Sequence, residues 1–361
     1  MLRPLRNKCL NADNETATLI KTKNDWEEYV MKKFTTSFAI SILGVSGLAL
    51  LAAGPASADN FPSKPIQYVL HASAGGGTDA MARLLAPIVS GYLGQKVVVR
   101  NMKGGGGAKQ MSHMTKSAKP DGYTIGSTTG SLIGRMNTVL KGKFAVKDFI
   151  WVTGMLSDPF VFAVPADSSA KNLKGLVKMI TSNPGKYKVA SFAIGGAQWI
   201  AWNIFASGAG FKSTDAVWIP YGNVGKAAVA TVGGHADLTV NFVGKTLQHV
   251  RGGKLRYISL MAPQRSEAIP DVPTINQAGY PKIDSTFVQF RGIVAPLKTP
   301  ADRVKKINAA FIKAMKTDRI KTWLKRGGKS AMNFGPKKFT KFAVHMNKVT
   351  AHYVKDLAKK K

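Results

Sequence analysis

Short apolar runs alternate with stretches whose apolar residues recur every three or four positions from Ile66 onward, and this alternation restricts the chain to few folds. The short runs read as buried strands and the periodic stretches as amphipathic helices, which together specify an α/β protein. Strands are expected over residues 66–71, 97–100, 123–126, 160–164, 189–191, 217–220, 237–240 and 257–260. Gly75, Gly76 and Gly77 separate the first strand from a helix that carries Met81, Leu84, Leu85 and Ile88 on one face. Further on, Thr299 as N-cap, Pro300 at the first position and Asp302 in the first turn predict a helix burying Val304, Ile307, Phe311 and Ala314. Gly327 and Gly328 stop the next helix, and a last one places Phe339, Phe342, Met346, Val349 and Tyr353 on a single face. Two extended segments ending at proline, 160–165 and 287–296, read as strands passing between two lobes.

The N-terminal region has a different character. Met31, Lys32 and Lys33 precede an apolar run over 38–51 and the small residues Ala56, Ser57 and Ala58, the three parts of a secretory signal. Cleavage is expected after Ala58. The apolar run is short for a membrane span, and nothing later is long enough to cross a bilayer. Residues 1–30 are polar, lack periodicity and would bury the basic start of the signal, so translation is expected to begin at Met31. Cys9 is the sole cysteine and lies in that leader, which leaves the exported chain without a disulfide, thiol nucleophile or cysteine metal site. Asp59 stands where a lipoprotein would need a cysteine. Release into a periplasm follows.

Charge narrows the partners. Residues 59–361 hold 45 lysines and arginines against 14 acidic residues, a net +31, and Glu267 is the only glutamate among them. The cations are spread along the chain without a dense block, which favours a general positive field over a nucleic-acid stripe. Anionic solutes, anionic headgroups or an acidic partner would be drawn to such a field, although a solvated basic surface needs no partner at all.

Catalytic chemistry has little support. The six histidines show no metal-ligand spacing, no serine lies in a GxSxG elbow, and only Asp79 and Asp237 stand out as acids near strand ends. Neither Gly75 to Gly77 nor the run Gly104 to Gly107 satisfies a nucleotide-binding fingerprint. Both nevertheless lead from strand to helix, where free backbone N–H groups suit an anion; a merely tight turn is the competing reading. Thr128, Thr129, Gly130 and Ser131, then Ser191 with Gly195 and Gly196, then Tyr221 with Gly222 also follow predicted strands. In an open α/β sheet those ends border the ligand crevice.

Several blocks in order resemble the substrate-binding proteins of tripartite tricarboxylate transporters, the Bug family. FPSKPIQYVLHASAGGGTDAMARLLAP is similar to the family's first strand, turn and helix; GQKVVVRNMKGGGGA and KPDGYTIGSTTGS to its second and third strand regions. IPYGNVGKAAVATVGGHADL, RGGKLRYISL, IPDVPTINQAGYP and RGIVAPLKTPADRVKKINAAF follow, so the resemblance covers residues 60–361. It implies a two-lobed periplasmic-binding-protein fold of type II with two crossover strands at a hinge. Lobe 1 is then 61–162 plus 287–361, and lobe 2 is 163–286. It also implies that a small carboxylate is gripped by Gly75, Gly76, Gly77, Thr78, Asp79, Thr128, Gly130, Ser131, Ser191, Gly196, Ala197, Tyr221 and Asp237. The chain departs from the family pattern at Ala74, where many members have proline, and at Trp199, where many have histidine. A Trp199 facing the cleft would favour an aromatic or larger apolar acid; on the core side it would not matter to the ligand.

The resulting expectation is a monomeric periplasmic receptor, with no metal or cofactor and no chemistry of its own, that delivers a di-, tri- or aromatic carboxylate to integral-membrane permease subunits. A receptor signalling to a membrane sensor and an exported enzyme acting on an acidic substrate are the alternatives. Loss of turnover in Asp79→Ala or Asp237→Ala would mark the enzyme.

Overall fold

The apolar runs become strands whose backbone groups are satisfied in two sheets, and the periodic stretches become the helices that cover them. The computed structural model describes residues 60–358, with side chains to 354; the expected leader, signal and cleavage site lie outside the described residues. The first half of the described chain runs β1 (Ile66–Leu70), α1 (Gly77–Leu93), β2 (Val97–Asn101), α2 (Ala108–Ser112), β3 (Thr124–Thr129), α3 (Gly130–Met136) and β4 (Phe149–Asp158). Next come β5 (Phe160–Pro165), α4 (Leu173–Ser182), β6 (Lys188–Ser191), α5 (Ala197–Gly208), β7 (Val217–Pro220), α6 (Val224–Val232), β8 (Leu238–Phe242), α7 (Val243–Arg251) and β9 (Leu255–Met261). The last part is β10 (Gln289–Pro296), α8 (Ala301–Met315), α9 (Asp318–Arg326), β11 (Ser330–Phe334) and α10 (Pro336–Ala358).

The six-stranded sheet has the order β11-β4-β10-β3-β1-β2, and the five-stranded sheet β7-β6-β8-β5-β9. One plan serves both. In each, a first strand lies between two parallel neighbours, β1 between β2 and β3, β6 between β7 and β8. An antiparallel strand arriving from the other sheet lies next, β10 beside β3 and β5 beside β8. The chain therefore crosses twice, at Pro159 and within residues 262–288. The segments expected to be crossovers, 160–165 and 287–296, hold the strands with which the chain enters each new sheet: β5 pairs in the second sheet and β10 in the first. Backbone N–H and C=O groups commit a strand to one ladder, so the passage falls just before each.

Packing follows the patterns. Met81, Leu85, Val89, Ile307 and Phe311 are buried with Ile66, Tyr68 and Leu70 in a cluster under α1 and α8. A larger cluster runs from sheet to sheet and includes Trp151, Phe290 and Phe339 on one side and Phe162, Trp202 and Phe205 on the other. Phe160 stacks on Phe287 with ring centroids 6.0 Å apart, so aromatic contact is continuous where the chain crosses. At α8 the helix starts one residue later than expected: Pro300 is the N-cap, and the Thr299 hydroxyl donates to the Pro296 carbonyl at 2.8 Å. Gly327 ends α9 as expected.

Candidate functional site

A cleft of about 750 Å³ opens where the carboxyl ends of the parallel strands of both sheets face each other. One wall is formed by residues 71–78 after β1, 103–107 after β2, Thr129, Ser131 and Arg135 after β3, and Gln289 and Arg291 of β10. The other comes from Phe192 after β6, Gln198 in α5, residues 222–225 after β7, and Phe242 and Lys245 after β8. Helices α1, α6 and α7 therefore begin at its edge, and the N-terminal turns of helices carry N–H groups without intrahelical acceptors and partial positive charge.

The glycine turn is built to approach a ligand. Gly75 has φ +74°, and Gly76 is the N-cap of α1 without a capping side chain. A Cβ on Gly77 would lie 3.2 Å from Arg291 Nη2, so glycine there lets the guanidinium rest against the turn. Asp79 points away from the cleft. Its carboxylate accepts from the Gly75 N–H at 2.9 Å, Asn101 Nδ2 at 2.9 Å and Arg83 Nε at 3.1 Å, and the residue is 3% exposed. Burial opposes the charge, but the bonds from Arg83, Gly75 and Asn101 outweigh it and hold the carboxyl below its ordinary range. Asp79 thus ties the turn to α1 and leaves the first-turn N–H groups of Gly77 and Thr78 to the cleft side.

Cations dominate the electrostatics. Arg291 Nη1 donates to the Asp158 carboxylate at 2.9 Å, and both side chains are buried. Arg135 Nη1 donates to the Gly106 carbonyl at 2.7 Å, with its guanidinium 5.7 Å from the centre of the Phe192 ring on the opposite wall. Burial lowers Arg135 from the usual arginine value without discharging it. His71 meets Ser127 Oγ through Nδ1 at 2.8 Å; burial, then Arg135 and Arg291, press its pKa down to about 3, so the imidazole is neutral. Burial raises the Tyr68 phenol well above its usual range despite Arg291, which keeps it protonated. With Lys103 and Lys245 the lining holds four basic side chains and no carboxylate among the described residues.

Comparison with known proteins places this geometry. The family described as tripartite tricarboxylate transporter family receptor, TctC, matches residues 81–358. The chain belongs to this family. Protein BugT of Bordetella pertussis is 29% identical over 285 residues, 77% of this chain and 86% of BugT. A solved structure titled as that of a periplasmic transporter is 31% identical with TM-score 0.71, covering 82% of this chain and 97% of that one. MatC of Rhodopseudomonas palustris, solved with bound malate, is 24% identical with TM-score 0.71 over 81% of this chain and all of MatC, and shows the shared fold. The family consists of receptors for solutes, and the two-sheet α/β fold is that of its periplasmic binding proteins.

Within this TctC receptor, the expected site residues fall into two groups. Gly75, Gly76, Gly77, Thr78 and Ser131 line the cleft. The others stand behind it or away from it. Thr128 alternates with Ser127 and Thr129 along β3, so it faces the opposite side of the sheet, and Thr129 takes its place at the cleft. Gly130 is closed in by Gln289 and the Val288 carbonyl, each 2.9 Å from where its Cβ would stand. The Ser191 hydroxyl is spent on the Val240 carbonyl at 2.5 Å, and the Gly196 and Ala197 N–H groups on the Ala193 carbonyl and Ser131 Oγ. Trp199 packs at the edge of the main core, and Tyr221 against Ala190, Ala227 and Ala236. Asp237 lies at the amino end of β8, accepting from the Lys188 N–H at 2.7 Å, at the opposite end of the strand from the cleft. Sequence reasoning passed over Arg135, Arg291, Lys103, Lys245 and Gln198. Arg291 left one signal, a lone cation inside the apolar strand FVQFRGIVAP; the rest are unmarked in local sequence.

Proposed function

We propose that this receptor captures a small organic anion with two or more carboxylates in the cleft and hands it to membrane permease subunits of a tripartite transporter. The carrying observation is the convergence of Lys103, Arg135, Lys245 and Arg291 with three helix N-termini on a lining without carboxylates. Such a lining offers charge-assisted donors on both walls, so a diacid satisfies both at once and favours the closed arrangement. The malate bound by MatC is a solute of this class. Ser127, whose hydroxyl meets His71 Nδ1, is buried and does not line the cleft, and the reading is of binding without turnover. Residues 31–58 act in this reading as a signal removed after Ala58, releasing a periplasmic monomer.

A thermal-shift screen against mono-, di- and tricarboxylates and aromatic acids tests this. A ligand at a hundred times its Kd stabilises the fold by about 3 kcal/mol, which moves Tm by roughly 5 °C. Di- or tricarboxylates are expected to give that shift, and Lys245→Met to reduce it. A panel-wide lack of response would remove the reading.

A further inference from the structure

The cleft selects by charge sign and by one uncommitted amide. Its four cations face no acidic lining residue, and the two acids beside it have internal partners, Asp79 with Gly75, Arg83 and Asn101, Asp158 with Arg291. An ammonium group carried in with a carboxylate would meet like charge and find no counter-ion, which is costly in a partly desolvated site. Most neutral polar side chains of the lining are already engaged. Ser131 Oγ accepts from Gln289 Nε2 and the Ala197 N–H, Thr129 from the Leu132 N–H, and Asn223 from the Lys226 N–H. Gln198, in the first turn of α5, differs: it lines the cleft, is 2% exposed, and its Oε1 is buried without a hydrogen-bond partner.

A carboxamide holds an acceptor and a donor side by side in one plane. A hydroxyl next to a carboxylate matches that pair, donating to the amide oxygen while a carboxylate oxygen accepts from the amide nitrogen. An unsubstituted diacid offers only acceptors and leaves the amide oxygen unpaired. We propose that the receptor prefers hydroxy-substituted di- or tricarboxylates over their unsubstituted counterparts and rejects amino dicarboxylates of the same length, with Gln198 as the specificity-determining residue. This rests on the carboxylate reading of the cleft.

Matched sets of acids test it by calorimetry on the purified receptor: succinate, malate and aspartate; glutarate, 2-hydroxyglutarate and glutamate; tricarballylate and citrate. In whichever set binds, the hydroxy acid is expected about three- to tenfold tighter than the unsubstituted acid, the range of one added hydrogen bond. The amino acid is expected at least about tenfold weaker than the hydroxy acid. Gln198→Leu should abolish the hydroxy preference while binding of the unsubstituted acid persists. Because Gln198 is buried, Asn223→Asp provides a variant that leaves the fold undisturbed: aspartate caps α6 as well as asparagine and adds a carboxylate to the lining. It should weaken the hydroxy acid and narrow its lead over the amino acid. Equal affinity for hydroxy and unsubstituted acids, an amino acid bound as tightly as its hydroxy partner, or a folded Gln198→Leu that keeps the preference would each overturn the selectivity alone. Silence across all eight acids would overturn the carboxylate reading and this inference with it.

Discussion

Asp79 and His71 sit on either side of the glycine turn and make the fold sensitive to acid in two stages. The His71 pKa, about 3 in the fold against an ordinary 6.5, means that the unfolded chain binds a proton there first, so stability falls as pH drops below about 6.5. Asp79 has the opposite partner set and a folded value below its ordinary one. Its contribution is complete above the unfolded carboxyl pKa of about 4 and is lost as pH falls through the folded value. Urea unfolding from pH 7 to 3 should therefore show a gradual loss that His71→Gln flattens between 6.5 and 4. Asp79→Asn should cost about 1–3 kcal/mol at neutral pH and flatten the limb below 4. An unchanged acid limb in both variants would contradict these roles. The residue scale is also where the sequence was least legible. The glycines of the turn were readable because only they suit it, and the alternatives for Asp79 were readable because an acid beside an anion site must turn away or meet a donor. Arg135 and Gln198 reach the cleft only through the packing of α3 and α5, which no local pattern encodes.

Among the elements, β10 shows why strand order was harder to read than strand existence. It lies between β3 and β4 and carries Gly292 where the Phe339 ring of α10 presses onto the sheet. A Cβ at Gly292 would run into that ring and stand 2.7 Å from the Thr153 carbonyl, and one at Gly154 would be 2.7 Å from Phe339 Cδ2. Two glycines on neighbouring strands thus form the seat of one phenylalanine, a relation between residues far apart in sequence. Gly292→Ala is expected to destabilise by about 3 kcal/mol, since neither a sheet carbonyl nor a fully buried ring can move aside cheaply. Gly91→Ala, in the interior of α1 with open space around it, should instead stabilise by about 0.5–1 kcal/mol through helix propensity. Denaturant midpoints for the pair separate packing from propensity, and equal shifts would refute the seat. Elements with clean periodicity, α1, α8 and α10, were legible with their buried faces. β4 was not, because FIWVTGMLSD is apolar without alternation and suits a buried strand or helix equally.

At the scale of the whole molecule, the ordered blocks and the βα alternation were enough to anticipate two sheets and two crossings, whereas the contacts that join the halves were not. Ser131 Oγ accepting from the Ala197 N–H, and the Gly195 carbonyl 2.8 Å from where a Cβ of Gly134 would stand, arise only once both sheets are built. The net charge was legible outright, and its consequence concerns rates. A field from +31 over residues 59–361 extends beyond the cleft, while the bound anion is held by cations that are partly shielded from solvent. Salt shortens the reach of the first to a Debye length of about 8 Å near physiological ionic strength and screens the second far less. Raising salt from 20 to 500 mM should therefore slow association of a dicarboxylate several-fold and leave dissociation within about twofold, as stopped-flow traces at several ligand concentrations would resolve. Equal changes in both rates would mean that the distant lysines do not steer the ligand, and that only the four cations of the cleft act on it.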